Sequence, residues 1–165
     1  MSSSSGSERP VTVGDPAPDF ALADQHGEMV ELRRFRGRTV VLYFYPRDHT
    51  VLCTTQACDF RDNYEIFHQS DAEILGISSD TTTSHATFAE QHALPFTLLS
   101  DPGGLVRARY GVPRLFGLLP GRVTYVIDKQ GIVRQIIRSA FSATRHVREA
   151  LQTARRLKDG TMNTL

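Results

Sequence analysis

The sequence predicts an α/β fold in which a central mixed β-sheet is flanked by helices on both faces. Strand-like and helix-like segments alternate along most of the 165 residues, which is typical of parallel strands joined by helical crossovers. The alternation ends with two apolar runs, 123–127 and 132–137, joined by a hairpin signature at 128–131. A last helix is predicted over 143–157. Parallel and antiparallel pairing in one sheet follows from these observations.

The first half of the chain begins with two short predicted strands, 20–22 and 29–32. The Asp-Gln-His-Gly run at 24–27 predicts a hairpin turn between them. A turn over 32–35 precedes the apolar run 39–45, which has the length and composition of a buried strand. These segments supply the first strands of the predicted sheet.

A long helix is predicted next. It starts near Cys53, and Phe60, Tyr64 and Phe67 repeat at the i, i+4, i+7 spacing of one helical face. The apolar run 73–78 follows as a strand. The polar residues at its end predict the N-cap of another helix.

The remaining elements are predicted from short apolar runs and their turn residues. The helix after the 73–78 strand is expected to end near His92, and 96–99 forms a short strand. A helix over 106–110 is expected to end at Gly111, since glycine is favoured just past a helix. The segment 113–121 contains proline and glycine and is predicted to be a loop.

Composition indicates one soluble domain, predicted over 11–160, with a disordered lead-in over 1–10. Hydrophobic residues make up 40% and charged residues 22% of the chain, and the net charge is +1. This balance indicates no nucleic-acid or membrane-surface partner. The serine-rich start lacks the features of a secretory signal, and no apolar run has membrane-spanning length. The sequence therefore predicts a cytoplasmic protein, where a thiol pair is more often catalytic than structural.

The chain has only two cysteines, Cys53 and Cys58, five residues apart. They follow the predicted strand 39–45 and a loop that contains Pro46. A thiol in the first turn of a helix lies near unpaired N–H groups and the positive end of the helix dipole. The sequence therefore predicts that Cys53 reacts as a thiolate, and the alternative is an inert buried cysteine.

Three neighbours are candidates to assist that thiolate. Thr50, three residues before Cys53, can place its hydroxyl near the sulfur or can serve as the N-cap of the helix. Pro46 lacks an N–H and is expected to shape and shield the loop. Arg122, at the start of a later strand, is either a surface residue or a multi-donor cation suited to an oxyanion.

Helix geometry constrains the two thiols. Residues five apart in a continuous helix have Cα atoms roughly 8.6 Å apart, whereas a disulfide requires less than about 7 Å. If Cys53 and Cys58 pair, the first turns of the helix must unwind. Cys58 could otherwise be a core residue of its helix.

The histidines near the thiols do not predict a metal site. Cys53 and Cys58 with His49 and His68 match no common zinc spacing, so no metal is predicted. Asp48 is predicted to cap its loop. No functional role is predicted for the other histidines, which are His26, His85, His92 and His146.

The motif Pro46-x-x-x-Thr50-x-x-Cys53 resembles the active-site motif of the peroxiredoxins. With Cys58 and the Phe-Arg-Asp run at 60–62, it is similar to the bacterioferritin comigratory protein (peroxiredoxin Q) subfamily. The resemblance extends over most of the chain, in order, through segments at 14–20, 76–80, 96–101 and 122–128. The chain departs from the usual pattern at Leu52, where glycine is usual, and at Val51, where proline is common.

The resemblance implies a thioredoxin-like fold and a thiol-specific peroxidase that reduces hydrogen peroxide and organic hydroperoxides. Cys53 would be the peroxidatic thiol and pass through a sulfenic acid, with Thr50, Arg122 and Pro46 in its active site. Cys58 would be the resolving thiol and form an intramolecular disulfide with Cys53. Thioredoxin or a similar dithiol would reduce that disulfide. No cofactor is implied, and the subfamily resemblance implies a monomer.

Two other functions would use the same thiol pair. A redox switch would toggle binding to a protein partner through the 53–58 disulfide, without turnover. A thiol–disulfide oxidoreductase on the same fold is disfavoured because the chain has no Cys-x-x-Cys. Catalytic consumption of peroxide distinguishes the peroxidase from both.

Overall fold

A computed structural model of the protein describes residues 9–115 and 119–160. Within these ranges nine strands and five α-helices alternate. The strands are β1 (Ala21–Asp24), β2 (Met29–Glu31), β3 (Thr39–Phe44), β4 (Ala72–Ser78), β5 (Thr97–Ser100), β6 (Arg114–Leu115), β7 (Leu119–Pro120), β8 (Val123–Ile127) and β9 (Val133–Arg138). The helices are α1 (Val51–Asp62), α2 (Tyr64–Gln69), α3 (Thr82–Gln91), α4 (Leu105–Tyr110) and α5 (Ala143–Lys158). Single-turn 3-10 helices occupy Leu32–Phe35 and Pro102–Gly104.

Seven strands form one sheet in the order β2-β1-β5-β4-β3-β8-β9. β3, β4 and β5 are parallel, with Leu42 opposite Leu75. β8 runs antiparallel to β3 and places Tyr125 on the other side of Leu42. The hairpins predicted at 24–27 and 128–131 join β1 to β2 and β8 to β9. The predicted mixed sheet is confirmed.

The central strand β3 is buried along its whole length and sends alternate side chains into two apolar clusters. Val41 and Tyr43 belong to the cluster that includes side chains of α1, α2, α3 and α5. Val40 and Leu42 belong to the cluster that includes α4 and the segment before β1. Burial on both faces accounts for the uninterrupted apolar run at 39–45, and helices on both faces are confirmed.

The predicted loop at 113–121 is wrong in part. β6 and β7 pair antiparallel, with Arg114 opposite Pro120. The N–H of Gly121 donates to the carbonyl of Pro113 at 2.8 Å and closes the open end of this small hairpin. Strands of two residues are too short to produce an alternating pattern in the sequence. Residues 116–118 lie outside the described ranges.

The long helix predicted to run to Phe67 is interrupted at Asn63, which separates α1 from α2. The side-chain amide of Asn63 donates to the carbonyl of Asp59 at 2.9 Å. The backbone N–H of Asn63 donates to the same carbonyl at 3.2 Å, and Asn63 has φ −104° and ψ 6°, outside the helical range, so α1 ends there with this carbonyl doubly bonded. The apolar stripe continues across the break because Phe60 and Phe67 both enter one cluster.

Of the predicted lead-in over 1–10, residues 1–8 lie outside the described ranges, while Arg9 forms an ion pair with Asp15 at 2.8 Å. The extent of a single domain over 11–160 stays a prediction. No helix within the described residues combines the length and the apolar character needed to cross a membrane.

Candidate active site

Cys53 is the third residue of α1, directly after the loop that leaves β3. The N–H of Thr54 makes the first helical hydrogen bond, to the carbonyl of Thr50 at 2.9 Å. The preceding N–H groups of the first turn therefore lack a helical partner and present positive partial charge. The predicted position of Cys53 at a helix start is confirmed.

Thr50 stands at the N-cap position, but its side chain does not cap the helix. Its hydroxyl donates instead to the carbonyl of Arg47 at 3.0 Å, which tightens the loop. Thr50 is thus the N-cap residue, as one of its two alternatives had it, without the side-chain bond that usually accompanies this position. Thr50 and Pro46 both line the cleft in front of Cys53.

Arg122 is the residue directly before β8, and its guanidinium contacts the Cys53 sulfur. Its Nη2 donates to Cys53 Sγ at 3.1 Å. Cys53 is 2% exposed and Arg122 is 4% exposed, so both groups lie inside the protein. A guanidinium held against a buried sulfur favours the thiolate, since a thiolate is the stronger acceptor and carries the compensating charge.

Gln56 completes this arrangement and was missed in the sequence. It lies one turn after Cys53 on α1, is fully buried, and its Oε1 accepts a hydrogen bond from Arg122 Nη1. Residues three apart lie on the same face of a helix, so the spacing of Gln56 from Cys53 is the sequence signal that indicates this position. In the described part of the chain, two buried donors of this pair have no hydrogen-bond partner: Arg122 Nε and Gln56 Nε2.

An open cleft of about 600 Å³ gives access to this site. Exposed apolar side chains line part of its rim, where Val51 is 83% and Phe141 is 76% exposed and Leu52 is also exposed, and the exposed Arg47 lines the cleft as well. The two departures from the usual motif, Val51 and Leu52, thus line the approach to Cys53. The thiol itself lies at the buried end of the cleft.

Asp48 joins the loop before α1 to α3, which corrects its predicted role as a cap of its own loop. Its carboxylate accepts hydrogen bonds from Tyr45 Oη at 2.6 Å, Ser84 Oγ at 2.8 Å and His85 Nδ1 at 2.7 Å. Burial by itself raises the pKa of Asp48, but the hydrogen bond and charge of His85 lower it more, and the pKa lies below its ordinary value.

The sequence patterns predict no functional role for His85, yet its side chain is fully buried in this network. Its second ring nitrogen, Nε2, faces the carbonyl of Leu99 at 3.0 Å. Oxygen atoms of Asp48 and Leu99 lie on both sides of the ring and fix its orientation. The Asp48–His85 pair therefore fixes the loop that carries Pro46 and Thr50 against β5.

The network also contains Asp80, and ligand atoms of Asp48, Asp80 and His85 lie within 4.8 Å of one another. Asp80 Oδ2 already accepts from the Asp48 N–H at 2.8 Å and from Ser78 Oγ at 2.6 Å. With the Asp48 oxygens also occupied, these groups fit a hydrogen-bond network better than a cation site.

Cys58 lies on α1 away from the Cys53 cleft and lines a separate pocket with Thr144 of α5. It is partly buried, and its Sγ lies 3.9 Å from Nδ1 of His92. Both cysteines are free thiols, and α1 is continuous between them. The structure therefore brings Arg122, Thr50 and Pro46 to Cys53 but leaves Cys58 apart, as intact helix geometry requires.

Comparisons with known proteins agree with this geometry. The AhpC/TSA family model matches residues 13–136. A chloroplastic peroxiredoxin Q of Sedum lineare is 51% identical over 149 residues, which cover 90% of this chain and 80% of that protein. The chloroplastic peroxiredoxin Q of Arabidopsis thaliana is 52% identical over 143 residues, which cover 86% of this chain and 66% of that protein.

Solved structures show the same fold. Peroxidoxin BcpB of Mycobacterium tuberculosis superposes with a TM-score of 0.83 at 40% identity, covering 89% of this chain and 98% of that one. The bacterioferritin comigratory protein of Xanthomonas campestris gives 0.78 at 28% identity, covering 84% and 92%. The thioredoxin-like fold implied by the sequence resemblance is confirmed.

One expectation is overturned by the same comparisons. The predicted cytoplasmic location is contradicted, because relatives at about half identity from Sedum lineare, rice and Arabidopsis thaliana are chloroplastic proteins. Composition could not reveal this, since it describes solubility rather than the compartment of a protein.

The fold, the buried Cys53–Arg122 contact and the extent of similarity agree. The chain belongs to the AhpC/TSA family as a peroxiredoxin of the peroxiredoxin Q group, an oxidoreductase that acts as a thiol peroxidase.

Proposed function

We propose that Cys53 is the peroxidatic thiol of this peroxidase and Cys58 its resolving thiol. The observation that carries the assignment is the 3.1 Å contact of Arg122 Nη2 with Cys53 Sγ, inside the protein and at a helix start. The Cys58 sulfur lies instead 3.9 Å from His92 Nδ1. A thiolate is the nucleophile in attack on peroxide, so the thiol with the guanidinium reacts first.

In the first step the Cys53 thiolate attacks one oxygen of the peroxide and the O–O bond breaks. The sulfur keeps that oxygen as a sulfenic acid, and the other oxygen leaves as alkoxide or hydroxide, which takes a proton to give alcohol or water. Negative charge thus moves from sulfur to the leaving oxygen. A group that stabilises both ends of this movement lowers the barrier.

Arg122 is placed to stabilise that movement of charge. Its Nη2 already bonds to the sulfur, and its unpaired Nε is a further buried donor. Gln56 orients the guanidinium through Nη1. Thr50 and Pro46 line the cleft, where the Thr50 hydroxyl can exchange its bond to the Arg47 carbonyl for one to a peroxide oxygen.

The contact between Gln56 and Arg122 leads to a prediction. Gln56→Glu is expected to slow the reaction of Cys53 with hydrogen peroxide about tenfold at pH 7, because a carboxylate beside Arg122 competes with the thiolate for the guanidinium. The deficit should shrink at pH 9, where hydroxide is more abundant and removes the thiol proton directly. Stopped-flow kinetics measure both rates. Gln152→Glu, an exposed glutamine on α5, is the matched control, and equal rates for all three proteins would contradict the role of Gln56.

The second step joins Cys58 to oxidised Cys53. A sulfenic acid is neutral, so it loses the charge that held the thiolate to Arg122. The first turn of α1 can then unwind, since Val51 and Leu52 are exposed and Thr50 gives it no side-chain cap. The Cys58 sulfur replaces the hydroxyl oxygen on Cys53, and water leaves as the disulfide forms.

We also propose the reaction's partners. Thioredoxin, or a similar dithiol, reduces the disulfide. The reductant approaches from the side of Cys58, because Cys58 lies in its own surface pocket. The substrates are hydrogen peroxide and organic hydroperoxides, and the apolar rim of Val51, Leu52 and Phe141 suits an alkyl group. Both thiols lie in one helix of one chain, so the cycle needs only a monomer.

Thiol substitutions test the assignment. Peroxide-dependent oxidation of reduced thioredoxin is measured for wild type, Cys53→Ser and Cys58→Ser. We expect turnover by wild type and none by Cys53→Ser, whereas Cys58→Ser should consume one equivalent of peroxide and then stop. A Cys58→Ser protein that turns over with thioredoxin as wild type does would contradict the resolving role. Disulfide formation without peroxide turnover would instead indicate a redox switch.

A further inference from the structure

We propose that His92 is the base that accepts the proton of Cys58 when Cys58 attacks oxidised Cys53. This inference rests on the proposed resolving role of Cys58 and assigns a catalytic role to a histidine that the sequence left without one. The juxtaposition that carries it is the 3.9 Å approach of His92 Nδ1 to Cys58 Sγ. That distance is within the range of a hydrogen bond to sulfur.

His92 is held in place by contacts that do not use its ring nitrogens. It is the C-cap residue of α3, and its carbonyl accepts a hydrogen bond from Arg61 Nη1 at 2.8 Å. Its ring packs edge-on against Phe88, with centroids 5.1 Å apart. Arg61 lies on α1 three residues after Cys58, so this bond ties the end of α3 to the helix that carries the thiol.

The pocket of Cys58 contains acidic side chains. Asp59 and Asp62 line the same pocket as its sulfur, and burial and then the charge of Asp62 raise the pKa of Asp59. The guanidinium of Arg61 bonds to Asp62 at 3.0 Å and to the His92 carbonyl at 2.8 Å. Thr144, the pocket residue contributed by α5, carries no charge. The pocket of Cys58 is thus lined by two acidic side chains and uncharged ones, and His92 Nδ1 is the ring nitrogen placed to take the proton of its thiol.

His92 stays beside Cys58 while the start of α1 unwinds. Phe60 is fully buried and stacks on Tyr43 with centroids 4.6 Å apart, which anchors the second half of α1. The first turn begins with two exposed residues, Val51 and Leu52, ahead of the buried Cys53. Local unfolding therefore moves the oxidised thiol towards a stationary pair formed by Cys58 and His92.

The proton and electron balance of the step is complete without another reactant. His92 Nδ1, unprotonated in one tautomer of the neutral ring, takes the proton of the Cys58 thiol as the sulfur attacks. The S–S bond forms with the electron pair of Cys58, and the S–O bond of Cys53 breaks with release of hydroxide. The imidazolium of His92 returns its proton to that hydroxide or to solvent, which gives water.

Single-turnover kinetics test the role. The chain has no tryptophan, so rapid quench with a thiol-alkylating reagent and mass spectrometry follow the dithiol, sulfenic acid and disulfide. His92→Phe retains a ring to pack on Phe88, and we expect it to form the disulfide about tenfold or more slowly at pH 7 while Cys53 is oxidised at the wild-type rate. The difference should shrink as pH rises, because hydroxide can then take the thiol proton in place of His92.

A matched control and a rescue sharpen the result. His68→Phe changes another partly exposed histidine, which stacks on Tyr64, and should leave both steps unchanged. Added imidazole should restore disulfide formation in His92→Ala. A wild-type rate of disulfide formation in His92→Phe would overturn the inference. A decrease in rate that is equal at all pH values would also overturn it, because such a decrease indicates that His92 only packs against its neighbours. If wild type itself forms no 53–58 disulfide, the proposed function fails first.

Discussion

Arg122→Met is expected to reduce the second-order rate of Cys53 oxidation by hydrogen peroxide about 10²- to 10³-fold, the usual loss when one transition-state donor is removed. The guanidinium contacts the sulfur through Nη2, so its removal affects both the thiolate and the leaving oxygen. Methionine has a similar length and suits an environment in which Arg122 is 4% exposed. The protein should therefore fold, and stopped-flow kinetics with peroxide report the chemical step.

Arg47→Met is the matched control for this substitution. Arg47 lines the same cleft but is exposed, and it supplies its backbone carbonyl rather than its guanidinium to Thr50. We expect its variant to react within about threefold of wild type, since an exposed charge is screened by water. Equal losses in the two variants would mean that the cleft needs only positive charge, and would contradict the specific role of Arg122.

Asp48→Asn is expected to lower the free energy of unfolding by about 3 kcal/mol, which corresponds to a decrease in Tm of roughly 6–12 °C. The substitution keeps the shape of the side chain but removes the charge that faces His85 at 2.7 Å. Both side chains are almost completely buried. Removing one member of a buried pair leaves the other without compensation, which is why this loss exceeds that of a surface pair.

The pH dependence of the same variant follows from the sign of the shift. The pKa of Asp48 is lowered in the folded protein by the bonds from His85, Tyr45 and Ser84, despite burial. The carboxylate therefore stabilises the fold above its unfolded pKa of about 3.9, and this contribution is lost as pH falls through the lower folded value. The difference between wild type and Asp48→Asn should be largest near neutral pH and shrink below about pH 4.

Asp62→Asn is the control for the stability measurement. Asp62 pairs with Arg61 at 3.0 Å, but its side chain is 64% exposed. Its substitution should change the free energy of unfolding by less than about 1 kcal/mol. A loss for Asp48→Asn no larger than that of Asp62→Asn would show that the buried network contributes no more than a surface pair.

The fold was predictable because its signals are local. The apolar run at 39–45 has the composition of a strand buried on both faces, and the hairpin at 128–131 has turn residues that few other structures accept. The small hairpin of β6 and β7 and the break at Asn63 were missed for the opposite reason. Each depends on one or two hydrogen bonds that short-range patterns do not encode.

The sequence by itself determined which residues could do the chemistry. The spacing of Thr50, Cys53 and Cys58 fixes a thiol in the first turn of a helix and a second thiol out of bonding range, because helix geometry is set by the backbone. The family resemblance, which includes the motif that begins at Pro46, extended this conclusion to a thiol peroxidase. These conclusions needed no knowledge of distant contacts.

Only the tertiary structure decided which distant side chains meet that helix. Arg122 is 69 residues from Cys53 along the chain, yet β8 lies beside β3 and brings its guanidinium to the sulfur. His92 is 34 residues from Cys58, and the end of α3 places its ring beside that thiol. Sheet order and helix packing set these contacts, and neither is encoded in the local pattern of apolar residues. The distant side chains that contact each thiol therefore came from the fold rather than from the motif.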